Sequence, residues 1–157
     1  MRILVFSDSH GSVSACTTVI ENIINVDMIL HAGDCVSDAA WIQKCYPNIP
    51  VKYVRGNCDT NPCTAPSELI IEAEGKKILL AHGHQYSVKS QPECQDLIEA
   101  AKGCDCAVFG HTHQPVCFKK ENLTVLNPGS AKSLNSYGVI EIEDGVLRAA
   151  VCYSNPL

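Results

Sequence analysis

Aspartate, asparagine and histidine, side chains that suit borderline divalent metals, gather at five places in the chain: Asp8-Ser9-His10, Gly33-Asp34, Gly56-Asn57, His82-Gly83-His84 and Gly110-His111-Thr112-His113. Each follows directly on an apolar run. Alone, Asp8-Ser9-His10 would read as a polar turn, because Asp8, Ser9 and Ser12 all suit the start of a helix. Five repeats of one event need another explanation. Most of the five places lack cysteine, which argues against a closed structural zinc site. Asp8, His10, Asp34, Asn57, His82, His111 and His113 are too many donors for one tetrahedral ion, and they suit two ions sharing one carboxylate. Two metals about 3.5–4 Å apart clamp the attacking and leaving oxygens of an in-line displacement at phosphorus and acidify the water between them. His31, the remaining histidine, is read as a satisfied core residue.

The apolar runs must be the elements that carry these clusters. Residues 2–6 read as a buried strand, and Val13, Cys16, Val19, Ile20, Ile23 and Ile24 recur at helical spacing behind Ser12. Met28–Leu30 and Val51–Val54 are further strands, with a short helix around Ala39–Cys45 between them. This alternation predicts parallel strands covered by helices. Leu69–Ile71 and Ile78–Leu80 flank Glu74-Gly75 and read as a hairpin, so the sheet becomes mixed. A helix over about 92–102 ends at Gly103, followed by a strand at Cys106–Phe109 and further runs near Val116, Leu123, Val139 and Val146–Tyr153. Sites on such folds lie beyond the carboxyl ends of the strands, so the five clusters can converge on one rim.

The 157 residues are read as one domain, 1–157, able to bury about two-thirds of the surface of the unfolded chain and to fold alone or as a small homo-oligomer. A net charge of −5 with no run of Lys or Arg makes nucleic acid an unfavoured partner. No apolar run is long enough for a membrane span, and no signal-peptide core precedes Asp8. The protein is therefore expected in the cytoplasm. Its ten cysteines are read as reduced thiols, most of them small buried hydrophobes.

The ordered set of motifs, together with "GNCD" at 56–59 and "NPGS" at 127–130, resembles the calcineurin-like metallophosphoesterase superfamily, and within it the small YfcE-type phosphodiesterases. The resemblance implies an α/β fold of two mixed β-sheets packed as a sandwich with flanking helices. It implies one metal held by Asp8, His10, Asp34 and His113 and a second by Asp34, Asn57, His82 and His111, with Asp34 bridging. The expected cofactors are two divalent transition metal ions, manganese first, with iron, zinc or nickel as alternatives. The implied reaction is hydrolysis of a small phosphodiester by a hydroxide bridging the two ions; Asp34, Asn57 and His84 are read as the catalytic residues. Phosphomonoester hydrolysis is the lesser alternative. A protein scaffold like the retromer subunit, in which the metal site is degraded, is the other.

One departure stands out. Many superfamily members carry histidine after the Gly-Asn, and here the residue is Cys58, a poorer hydrogen-bond donor. Cys58 is read as a small bystander. His84 could fill the gap as an acid or could only orient a metal ligand, facing the same rim as His82 if the segment is extended. Arg55 is assigned a surface ion pair, Asp38 a place in the first turn of a helix, and Asn127–Ser130 a tight turn. Specificity is expected to lie in the loops 60–67 and 85–92.

Overall fold

Strand β1 (Arg2–Phe6) alternates its side chains between two apolar environments, Ile3 and Val5 on one face and Leu4 and Phe6 on the other, all at most 1% exposed. A strand buried on both faces must sit inside a layered structure. In the computed structural model, which describes residues 1–60 and 63–154, β1 is the centre of a five-stranded sheet. β2 (Met28–His31) pairs parallel beside it and β3 (Val51–Tyr53) parallel beside β2. On the other side, β9 (Ser136–Glu143) and β10 (Val146–Tyr153) add antiparallel strands.

A second five-stranded sheet runs in the order β4 (Glu68–Ala73), β5 (Lys76–Ala81), β6 (Cys106–Val108), β8 (Leu123–Asn127), β7 (Val116–Lys120). Its middle strands β5, β6 and β8 are parallel, and the outer pairs are antiparallel. Ile3, Val5 and Leu30 from the first sheet meet Ile78, Leu80, Val108 and Leu126 from the second in one core. Each such side chain contributes about 2 kcal/mol relative to exposure. The outer face of the first sheet is covered by α1 (Val13–Asn22) and α2 (Val36–Cys45) through Cys16, Val19, Ile20 and Ile42. α3 (Gln95–Ala100) covers the second through Leu97. The expected sandwich of two mixed sheets with flanking helices is the observed fold.

Local differences have physical causes. α1 stops at Asn22, leaving Ile24 74% exposed, and Ser12 occupies the N-cap position without a side-chain cap bond. α3 is shorter than the expected 92–102 because Cys94, with φ +52°, cannot continue a helix backward. A one-turn helix α4 (Ala131–Leu134) follows the NPGS segment. No helix among the described residues is long and apolar enough to cross a membrane.

All ten cysteines are free thiols, but only Cys16, Cys94 and Cys106 are buried. The expectation that most would be core residues fails because Cys45 ends an amphipathic helix and Cys117 lies on the edge strand β7. Burial pushes the Cys16 thiol up to about 12, so it stays protonated and unreactive. Thiol titration of denatured, unreduced protein is expected to find close to ten groups per chain. Extensive pairing in freshly prepared protein would contradict it.

Candidate metal centre

Because β1, β2 and β3 run parallel, their carboxyl ends open on one edge, and the same holds for β5 and β6. Asp8, Asp34, Asn57, His82 and the His111–His113 pair are carried there by the exits of β1, β2, β3, β5 and β6. Backbone bonds extend each sheet into this rim, Asp8 N–H to the Gly33 carbonyl in the first and Gly110 N–H to the His82 carbonyl in the second, while Ala131 N–H to the Ser7 carbonyl joins the segment after β8 to the exit of β1. Asp8, His10, Asp34, His111 and His113 all have φ between +43° and +66°. Non-glycine residues in this region carry strain, which concentrates at functional sites.

Two donor groups result. In the first, Asp8 Oδ1 lies 3.1 Å from His113 Nε2, and the His10 and His113 rings are 5.4 Å apart. Asp8 Oδ1 is buried yet has no hydrogen-bond partner, so the short approach to His113 lacks hydrogen-bond geometry. In the second, His82 Nε2 lies 3.4 Å from Asp34 Oδ1 and 3.1 Å from Asn57 Oδ1. His82 Nδ1 is 2.7 Å from the Ala32 carbonyl, and donation there leaves Nε2 as a lone pair. Three acceptors then face one another, an arrangement that fits a cation. The His111 ring packs 5.1 Å from that of His82. Asp34 stands between the groups, its other oxygen Oδ2 being 3.9 Å from His10 Nε2. Ligand atoms of Asp8, His10 and His113, and likewise those of Asp8, Asp34 and His82, lie within 4.8 Å of one another. The chemistry of the donor set and the orphaned Asp8 oxygen both fit divalent metal.

Charge follows from these contacts. Burial opposes ionisation of Asp34, but the His82 ring and the Cys58 N–H outweigh it and hold the carboxyl far below the ordinary range. Burial likewise opposes charging of His82, and Asp34 raises it regardless. His111 is lowered to about 4 by burial and by His82.

Several braces escaped sequence reasoning. Ser7 Oγ donates to Asp8 Oδ2 at 2.6 Å, and His111 N–H reaches the same oxygen at 3.0 Å. Asn127 Nδ2 donates to the Gly110 carbonyl and to Thr112 Oγ1, fixing the loop of His111 and His113. Ser130 Oγ donates to the Asp8 carbonyl while accepting from Ser133 N–H as the N-cap of α4. The NPGS segment is thus a strut as well as a turn. Asp59 accepts from Cys35, Val36 and Gly56 N–H groups, locking the Asn57 loop onto the start of α2. Asp38 sits in the first turn of α2, as expected, but it also accepts from Ser9 Oγ and Gly11 N–H. His31 is buried, with Nε2 3.0 Å from Ser9 Oγ, and burial lowers it to about 4, in keeping with its reading as a core residue. The repeated small polar residues beside the ligand motifs were the available signal.

His84 does share the rim, though by a different route. The segment is not extended: Gly83, with φ +103°, turns the chain into a 3₁₀ turn at His84–Tyr86. The His84 ring lies 5.4 Å from that of His82, and its Nδ1 is buried without a partner. Cys58 is exposed, its thiol raised by the Asp34 contact and by burial. Its sulfur also lies within 4.8 Å of the ligand atoms of His10 and Asp34. Arg55 forms no ion pair among the described residues, contrary to expectation. The 60–67 loop lies partly outside the described residues.

A two-sheet sandwich with carboxylates and imidazoles at the joined strand ends is the architecture of a metallophosphoesterase. The sequence profile of the calcineurin-like phosphoesterase superfamily domain matches residues 1–145, and the chain belongs to that family. It is 28% identical to phosphodiesterase YfcE of Escherichia coli K12, over 90% of this chain and 88% of the relative. A predicted phosphoesterase from Streptococcus pneumoniae has the same fold, with a TM-score of 0.78, 25% identity, and coverage of 97% of this chain and 88% of that one. Zinc-complexed Vps29 of Entamoeba histolytica is similar in fold alone, with a TM-score of 0.75, 22% identity, and coverage of 97% and 98%.

Proposed function

We propose that this chain, as one domain, is a phosphodiesterase that works with two divalent ions sharing Asp34. The observation that supports this most directly is the placement of the Asp34 oxygens, Oδ2 toward His10 and Oδ1 toward His82. Asp8, His10 and His113 complete the first set, and Asn57, His82 and His111 the second. Two ions held there supply charge for the phosphoryl oxygens and an acidified water for in-line attack. We place manganese first, with iron, zinc or nickel as alternatives, since mixed oxygen and imidazole donors suit all four. The free thiols suit a reducing compartment, and we place the protein in the cytoplasm. The similarity to Vps29 leaves a scaffold role open on fold alone, but a scaffold has no need of seven donors on one rim. Metal analysis followed by assay on a panel of phosphate esters tests the reading. Tight binding of two ions with no ester cleaved would defeat it in favour of the scaffold.

Within the site, Cys58 is a weak donor and Asn57 Nδ2 already lies 3.5 Å from its sulfur. Departure of the leaving group therefore has little protonation to draw on. Aryl diesters are expected to react at least about 100-fold faster than alkyl diesters. Cys58→Ala should change either rate by less than about threefold, whereas Cys58→His should extend activity toward alkyl esters. His84→Ala should slow both classes alike, about tenfold, by loosening the rings of His82 and His111. Selective loss on alkyl esters would instead make His84 the acid.

A further inference from the structure

A cavity of about 610 Å³ opens beside the metal rim, walled by Val88, Pro92, Phe109, Pro115 and Val116, with Lys89 also in its lining. It adjoins the site at two points. Thr112, which also lines it, lies between His111 and His113. Gly83, between His82 and His84, is so close to Val88 and Phe109 that a Cβ there would meet them at 3.0 and 3.3 Å. We propose that this groove is a subsite for an apolar, ring-sized ester group of the substrate, with Lys89 helping to hold the phosphoryl end.

This rests on the phosphoesterase reading, and the arrangement explains what that reading leaves open. The metal rim recognises phosphate and is indifferent to what the phosphate carries. The groove supplies apolar wall next to the anion site, and the 85–92 loop expected to set specificity contributes Val88, Lys89 and Pro92. Val88 and Phe109 are 3% and 1% exposed and held by the α3-side core, so the floor is preformed. Val116, 36% exposed at the start of the edge strand β7, is the wall that can be altered without disturbing the core.

Benzylphosphonate and methylphosphonate, which cannot be hydrolysed, provide the test by titration calorimetry on metal-loaded protein. Removing about 60 Å² of ring surface from water is worth about tenfold, so the benzyl probe should bind about tenfold more tightly. Val116→Asn and Val116→Trp, which make the wall polar or fill the groove, should cut that ratio to about twofold. Lys89→Gln should weaken both probes by a common factor of about three and leave the ratio in place. Equal binding of the two probes to the unaltered protein, or a ratio unaffected by both Val116 variants, would overturn the subsite. Hydrolysis of methyl p-nitrophenyl phosphate, measured separately, tests the phosphoesterase reading. If that ester is inert while the tenfold ratio holds, the groove stands and the proposed reaction falls.

Discussion

Asp34→Asn is expected to lower hydrolysis of an aryl phosphodiester by at least about 10³-fold and to reduce metal content from two ions per chain to one or fewer. The size of the effect follows from position. Asp8 also lies near donors of both groups, but Asp34 presents a separate oxygen to each, Oδ2 to His10 at 3.9 Å and Oδ1 to His82 at 3.4 Å. Asparagine offers one neutral oxygen in place of two charged ones, and its NH₂ must point at one of the two imidazoles. The fold has no reason to fail, because an amide oxygen still accepts the Cys58 N–H that Asp34 Oδ1 accepts at 2.9 Å. Metal-stripped parent and variant should therefore melt within a few degrees of each other. The decisive measurements are elemental analysis after loading and initial rates on the same preparations. Two ions retained with full activity would show that the carboxylate is not shared.

Much of this arrangement is legible in the residues, and the unread part has a common character. β1 and α1 are visible because burial imposes a period of two on Ile3–Phe6 and of 3.6 on Cys16, Val19 and Ile20. The five rim clusters are visible because polar metal donors follow directly on apolar runs. What stayed hidden depends on contacts between distant segments. Nothing local in Asn127 shows that its amide will hold the Gly110 carbonyl, or in Ser130 that its hydroxyl will reach Asp8, 122 positions away in sequence. The condition that the His82–His84 segment be extended is not met, because Gly83, packed against Val88 and Phe109 with room for no Cβ, takes a positive φ that nothing local announces.

Gly110→Ala carries the other large expected effect, and it probes the brace behind Asp8. A Cβ at this position would lie 1.8 Å from Ser7 Oγ and 2.8 Å from Asp8 Oδ2. Ser7 and Asp8 are both fully buried, so neither can step aside into solvent. Overpacking of this kind destabilises by about 3 kcal/mol, which for a chain of this size lowers the melting temperature by about 10 °C. Activity should fall further than stability, by at least about 100-fold, because the displaced group is the carboxylate whose free oxygen faces His113. The double variant with Ser7→Ala separates the two effects. Removing Oγ clears the nearest clash and should return part of the lost melting temperature, a coupling expected for residues in direct contact. It should not return activity, since Asp8 then also loses the 2.6 Å bond that aims it. A Gly110→Ala protein with the melting temperature and metal content of the parent would mean that Asp8 is not held where the rim requires it.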